Sequence, residues 1–248
     1  MNVLTLPPRL AQIAACISPC RCMADIGTDH AYLPAALCLD GICQTAIAAD
    51  VRPGPLRRAA ATVKRYGLEK EIALRLGNGT APLAPGDADT IVIAGMGGLM
   101  IAQIIQNGLS VIRSASQVIL QPMTAAMELR EFLSASGFTI TGEYLAKEDT
   151  KIYNILTIAS NPDPHPLTPA ECYLGRELLR NRPPLFDEYL QRRRQKLLKM
   201  LAGLKKASCP ASLEKYNDCK NLLKSIDELC PPAAEESPCG QKGGNAIC

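Results

Sequence analysis

Up to about residue 160, short apolar runs alternate with longer stretches whose apolar residues recur at helical spacing, the pattern of a parallel sheet covered by helices. Cys22 to Ile26 reads as a buried strand, followed by a loop at Gly27 and a helix from Ala31 to Leu39. Thr45 to Ala49 is a second strand ending at Asp50, after which Pro53 suits the start of a helix and Gly67 its end. Ile72 to Leu76 and Thr90 to Ala94 are the third and fourth strands, closing on Gly77-Asn78-Gly79 and Gly95-Met96-Gly97-Gly98. Val118 to Leu120 is a fifth, and a helix from about Thr124 to Ser136 stops at Gly137. Phe138 to Leu145 and Tyr153 to Ala159, joined by a polar turn, are expected to pair antiparallel at one sheet edge.

The pattern changes at Asn161-Pro162-Asp163-Pro164-His165-Pro166, where three prolines predict a stiff extended linker. Thr168-Pro169-Ala170-Glu171 has the form of a capping box, opening a helix that should run to about Asn181, before Pro183-Pro184. A longer helix carries Leu190, Leu197, Leu201 and Leu204, and a third carries Leu213, Tyr216, Leu223 and Ile226. Each set forms an apolar stripe suited to helix packing or a short coiled coil. The expected division is therefore an α/β domain over 1–160, a helical coiled-coil-like domain over 161–230, and a disordered tail over 231–248, rich in Pro, Gly and Glu.

Composition narrows the class. With 248 residues, 47% hydrophobic and 21% charged, the chain is neither fibrous nor disordered, and no run reaches the roughly 18 apolar residues of a membrane span. Met1 to Leu10 lacks the pattern of an export signal, so the chain is expected to be cytoplasmic, with its eleven cysteines reduced. Cys16, Cys20 and Cys22 lack the paired spacing of zinc sites, and His30 and His165 lie far apart, so no metal site is expected.

Four loops should converge outside the carboxyl ends of the strands: Asp25 to His30, Asp50, Gly77 to Gly79, and Ala94 to Gly98. Gly27 lets backbone approach a ligand, and Asp50 is placed to accept hydrogen bonds from ribose hydroxyls. The second glycine of a dinucleotide fingerprint is replaced by Asp29, whose charge would repel a pyrophosphate but suits a sulfonium beside an amino acid ammonium. The charge pattern therefore favours S-adenosylmethionine over NAD, with Asp25, Gly27, Asp50, Gly77, Asn78, Gly79, Gly95, Met96 and Gly97 as cofactor-binding candidates. Blander readings stand beside these: Asp29 as a helix cap, Gly77-Asn78-Gly79 as a tight turn, Met96 as core packing.

The passages Asp25-Ile26-Gly27-Thr28-Asp29-His30-Ala31-Tyr32-Leu33-Pro34, Ile93 to Gly98, Leu120-Gln121-Pro122 and Glu148-Asp149-Thr150-Lys151-Ile152-Tyr153 together resemble the bacterial tRNA adenine-N1 methyltransferases that act on adenosine 22. The resemblance covers about residues 1 to 225; related enzymes often carry Asp where Asn78 stands, and the tail after Cys230 has no counterpart. It implies a Rossmann-like class I methyltransferase sheet with a C-terminal helical domain, and methyl transfer from S-adenosylmethionine to N1 of an adenine in tRNA. It also implies catalytic roles for Asp29, His30 and Tyr32, and a base pocket lined by Met96, Gln121, Pro122 and Tyr153, with Lys151 near a phosphate. His30 and Tyr32 have structural readings too, as buttresses of the helix start. From Arg176 to Lys206, ten cations, among them Arg192, Arg193 and Arg194, face only Glu177, Asp187 and Glu188, a stripe that the resemblance makes a tRNA-binding surface and that alone would read as a solvated helix face. A monomer is the favoured state. Rival readings are a methyltransferase of another substrate and a non-catalytic nucleotide sensor with a partner-binding arm.

Overall fold

A computed structural model describes residues 4–161, 165–205 and 210–231. The proline linker at 162–164, Lys206 and the tail beyond 231 lie outside the described residues. Along the chain run α1 (Pro8–Ala15), β1 (Cys20–Ile26), α2 (Tyr32–Leu39), β2 (Cys43–Asp50), α3 (Pro53–Tyr66), β3 (Ile72–Leu76) and β4 (Thr90–Gly97). Then follow α4 (Gly98–Asn107), α5 (Leu109–Ser114), β5 (Gln117–Thr124), α6 (Ala126–Ala135), β6 (Thr139–Glu148) and β7 (Lys151–Ala159), and after them α7 (Pro169–Leu174), α8 (Arg176–Asn181), α9 (Phe186–Leu204) and α10 (Pro210–Leu229).

The seven strands form one sheet in the order β3-β2-β1-β4-β5-β7-β6. β1 to β5 are parallel, and the expected hairpin of β6 and β7 closes one edge antiparallel. The runs Met23 to Ile26, Ala46 to Asp50 and Thr90 to Ile93 are buried because helices cover both faces, which is why they read as unbroken apolar stretches. Alternate side chains feed two cores: Ile26, Ile91, Ile93, Ile105 and Leu129 on one face, Met23, Leu37, Ala48, Val92 and Ile119 on the other. Each fully buried Ile or Leu contributes roughly 1.5–3 kcal/mol. The chain runs from β1 to β2 on one side and returns to β4 on the other, so a crevice opens above the carboxyl ends of β1 and β4.

Two compact units are present, 1–193 and 194–248, and their boundary falls inside α9. α7 and α8 belong to the first unit. The capping box at Thr168 and Glu171 is formed, but the single helix expected to reach Asn181 is broken at Gly175 (φ 106°). The cause is the buried carboxylate of Glu143, whose Oε2 would lie 2.6 Å from a Cβ at residue 175. Glu143 accepts from Arg130 Nε (2.6 Å) and from the Glu177 amide (3.0 Å), while Arg130 also donates to the Cys172 carbonyl and Asn154. A helix must restart there to offer that amide. In the second unit, Arg194 pairs with Asp227 (2.8 Å) and donates to the Cys230 carbonyl, and Ile226 is buried. Among the described residues, no helix is long and apolar enough to cross a membrane, and no cluster of His, Cys, Asp and Glu could hold a metal ion.

Candidate active site

Above the carboxyl ends of β1, β2 and β4 lies a cavity of about 710 Å³, next to a second of about 260 Å³ that shares Gly27, Asp50, Val51, Met96 and Met100 with it. Backbone geometry explains why glycines recur here. Gly27 (φ 82°) takes the chain out of β1 while its amide and that of Thr28 still donate to the Ala49 carbonyl, and the Met96 methyl occupies the space a side chain would need. Gly95 (φ 76°) is the extra residue of an irregularity between β4 and β5, where Ala94 pairs with Gln121 and Met96 with Pro122. Such a bulge re-aims the following side chain, here Met96, into the cleft.

The floor of the larger cavity is built from buried polar groups. Asp25, 9% exposed, has a carboxyl pushed up to about 6 by burial; the Thr28 hydroxyl and the charge of Arg9 pull it back down, and Asp50 adds a small upward push. Arg9, on α1, reaches this floor with its Nη1 donating to Gln121 Oε1 (2.8 Å), its guanidinium 5.7 Å from the Tyr153 ring and its Nε 4.0 Å from Glu148. Gln121 is fully buried: Oε1 also accepts from the Gly95 amide (3.1 Å), and Nε2 donates to the Pro122 carbonyl (3.0 Å). Asp50 Oδ1 accepts from the Arg52 amide (2.7 Å), and its backbone carbonyl receives the Gly77 amide.

The mouth is different in kind. Asp29, with its side chain 59% exposed, is held by the Arg58 guanidinium of α3, and its other oxygen lies 3.3 Å from His30 Nε2. The rings of His30 and Tyr32 stack 5.0 Å apart and 7° from parallel, forming one flat wall. Ala31, between them, sits in the left-handed region (φ 53°) and donates its amide to Thr28 Oγ1.

The structure thus brings Asp25, Gly27, Asp29, His30, Tyr32, Asp50, Gly95 and Met96 around one cavity, and Gly77, Asn78 and Gly79 around its neighbour. Gly97 is not on either wall; a side chain there would press on Thr124 Oγ1. Gln121 and Pro122 lie behind the wall rather than on it, because β5 turns them into the protein, and Gln121 acts through Arg9 and Gly95. Tyr153 touches the site only through Arg9. Lys151 is exposed at the hairpin turn. Arg192 donates to the Thr150 carbonyl and Glu188, Arg193 lies 3.6 Å over Tyr173, and Arg194 is committed to Asp227, so all three arginines already have partners. Sequence reasoning missed Arg9, Arg52, Met100 and Arg58. Arg52 could have been found from its place two residues after Asp50, whereas nothing local marks Arg9, which meets Gln121 across 112 residues.

With this geometry in place, known proteins give a consistent match. The sequence profile of the tRNA (adenine(22)-N(1))-methyltransferases, TrmK, fits residues 23–228. The chain belongs to that family. A TrmK relative, the tRNA (adenine(22)-N(1))-methyltransferase of Bacillus subtilis (strain 168), is 39% identical over 156 residues, 63% of this chain and 66% of that protein, just under two thirds of its length. The B. subtilis TrmK crystal structure superposes with a TM-score of 0.83 at 29% identity, over 92% of this chain and 99% of that one. Streptococcus pneumoniae Sp1610, solved in complex with S-adenosyl-L-methionine, superposes with a TM-score of 0.79 at 31% identity, covering 91% and 99%. The Rossmann-type sheet and the helices after it are shared TrmK architecture, and Arg9 lies outside the stretch that the profile matches.

Proposed function

We propose that this chain transfers a methyl group from S-adenosylmethionine to N1 of adenosine 22 in tRNA. One observation carries the cofactor half: the buried carboxyl of Asp25 and the guanidinium of Arg9 share one cavity floor. An α-amino acid end carries an ammonium and a carboxylate, and these two side chains complement it charge for charge. The carboxyl of Asp25 stays raised although Thr28 and Arg9 pull it down, so its burial is only partly compensated before the ammonium arrives. Asp50 is placed for ribose hydroxyls, and Gly77, Asn78 and Gly79 line the adjoining space for the adenine, with Gly97 giving β4 and β5 their close approach. S. pneumoniae Sp1610 binds S-adenosyl-L-methionine in its crystal structure, which supports the same ligand here.

When bound, S-adenosylmethionine supplies an electrophilic methyl carbon on a sulfonium. Adenine N1 already offers a lone pair, so no base is needed: the N1–carbon bond forms as the sulfur–carbon bond breaks, and positive charge is left on the ring. What the protein must do is orient and desolvate the base. The stacked His30 and Tyr32 wall offers a flat surface for it at the mouth, and Asp29 places a carboxylate where that charge develops. Gln121 and Pro122 stiffen the rear of this pocket, and Tyr153 fixes Arg9.

In this reading the helices over 161–230 grip the rest of the tRNA. Exposed cations there include Lys196, Lys199 and Lys205, which form no ion pair among the described residues, whereas Arg192 is exposed but paired with Glu188 and Arg194 is paired with Asp227. The same reading takes the protein to act as a monomer in the cytoplasm, where its tRNA substrate would be met.

The deciding experiment incubates the protein with methyl-labelled S-adenosylmethionine and an unmodified tRNA transcript, followed by mapping of the label. Label at N1 of adenosine 22, lost in a transcript carrying guanosine there, is the expected result. Cofactor binding without label in any tRNA would overturn it.

A further inference from the structure

The outward face of α3 has a pattern that the reaction at the cleft does not use. Pro55, Ala59, Thr62 and Val63 point into the protein, leaving Arg57, Arg58, Ala60, Ala61, Lys64 and Arg65 exposed. Four cations stand on this helix and no acid does, which exceeds the formal charge of +3 for the whole chain. They fall into two pairs, one at each end of a smooth two-alanine stretch, and seven residues of helix separate the pairs by about 10 Å. Arg58 binds Asp29, and Arg65 lies 5.7 Å from the Tyr66 ring; among the described residues Arg57, Lys64 and Arg65 have no ion-pair partner. Lys64 and Arg65 complement the negative end of the helix dipole, but Arg57 and Arg58, nearer its positive end, gain nothing from it.

The position of this face gives it a use. Asp29, which Arg58 holds, and Arg52, which precedes the helix, both line the cavity. A helix face whose own exposed residues include no acid, with small side chains between its cations, therefore adjoins the cleft mouth through Arg58 and Asp29.

We infer that the α3 face binds the ribose-phosphate backbone of the RNA beside the target base, so that the first unit holds its substrate independently of the C-terminal helices. The backbone lies over Ala60 and Ala61, with Arg57 at one side and Lys64 and Arg65 at the other donating to phosphate oxygens. The chemistry that selects this occupant is a run of regularly spaced monoanions, which one small anion would not satisfy. The inference deepens the tRNA reading and rests on it.

The test uses the full chain carrying Arg57→Gln, Lys64→Gln and Arg65→Gln together, with Lys196→Gln, Lys199→Gln and Lys205→Gln as a matched set in the second unit. Arg52 and Arg58 are left intact because they touch the cleft. For the α3 set, the KM for tRNA should rise roughly tenfold, and the dependence of log affinity on log salt should become shallower by about 2 for three lost phosphate contacts. The kcat at saturating tRNA and the calorimetric affinity for S-adenosylmethionine should not change. Backbone protection should be lost beside adenosine 22 and retained elsewhere. Wild-type tRNA affinity, salt slope and footprint in the α3 set, with loss confined to the second-unit set, would overturn the inference. Wild-type protein that methylates no tRNA would instead sink the reading beneath it.

Discussion

The floor and the mouth of the cleft are built from the same residue types and behave differently. Asp25 on the floor is buried, so its carboxyl is pushed up to about 6, and its neighbours are a hydroxyl and the guanidinium of Arg9, itself tied down by Gln121. Asp29 at the mouth is mostly exposed and already neutralised by Arg58. The floor is an unfinished charge arrangement that a zwitterionic ligand completes, whereas the mouth is complete in solvent and must be opened or stacked upon by a base. In the proposed reading the anion beside the cofactor is the buried Asp25, while the charge of Asp29 is already taken by Arg58 at the mouth.

The largest expected effect comes from Asp25→Asn, which removes the charge that meets the ammonium. The affinity for S-adenosylmethionine should fall on the order of a hundredfold by calorimetry. The same change should stabilise the fold at about pH 8. The folded pKa of about 6 exceeds the ordinary 3.8, so stability is lost as pH rises from the unfolded value through the folded one. The difference corresponds to roughly 3 kcal/mol at alkaline pH, a gain of several degrees in Tm for the variant that vanishes below about pH 4. A variant that binds normally, or that is less stable at alkaline pH, would break the contrast.

Arg9→Gln comes next, with a loss in cofactor affinity of roughly ten- to thirtyfold as the carboxylate loses a charged donor. Asp29→Ala sharpens the comparison from the other side: turnover on tRNA should drop roughly tenfold while cofactor affinity stays unchanged. Arg58→Gln, which only frees Asp29, should cost a few-fold in turnover, since exposed ion pairs contribute about 0–1 kcal/mol.

Much of this frame was legible. The strands β1 to β4 announced themselves as apolar runs ending in glycine or aspartate, β5 as a short apolar run into Gln121-Pro122, and the β6 and β7 pair as two β-like runs with a polar turn between them. The eight-residue α1 went unread because it is too short to establish a period, and α4 because Leu99 to Ile105 is apolar on nearly every side, so its spacing carries little signal. The break at Gly175 depends on a carboxylate 32 residues earlier in the chain, and Arg9 is placed by Gln121 from another element altogether. Local patterns reveal which loops form a site; the groups that arrive from distant elements need the fold. The three consecutive arginines show the converse case, since a charge run that looks free in sequence already has partners in Thr150, Glu188, Tyr173 and Asp227.

In the proposed reading, the buried and only partly compensated carboxyl of Asp25 receives the ammonium of the cofactor. Calorimetric titration of S-adenosylmethionine between about pH 5 and about pH 8, in the wild type and in Asp25→Asn, tests it most directly. Below about pH 6 the wild-type affinity should fall toward tenfold per pH unit with proton release on binding, while the variant stays weak and flat. Equal pH dependence in both proteins, or none in the wild type, would contradict it.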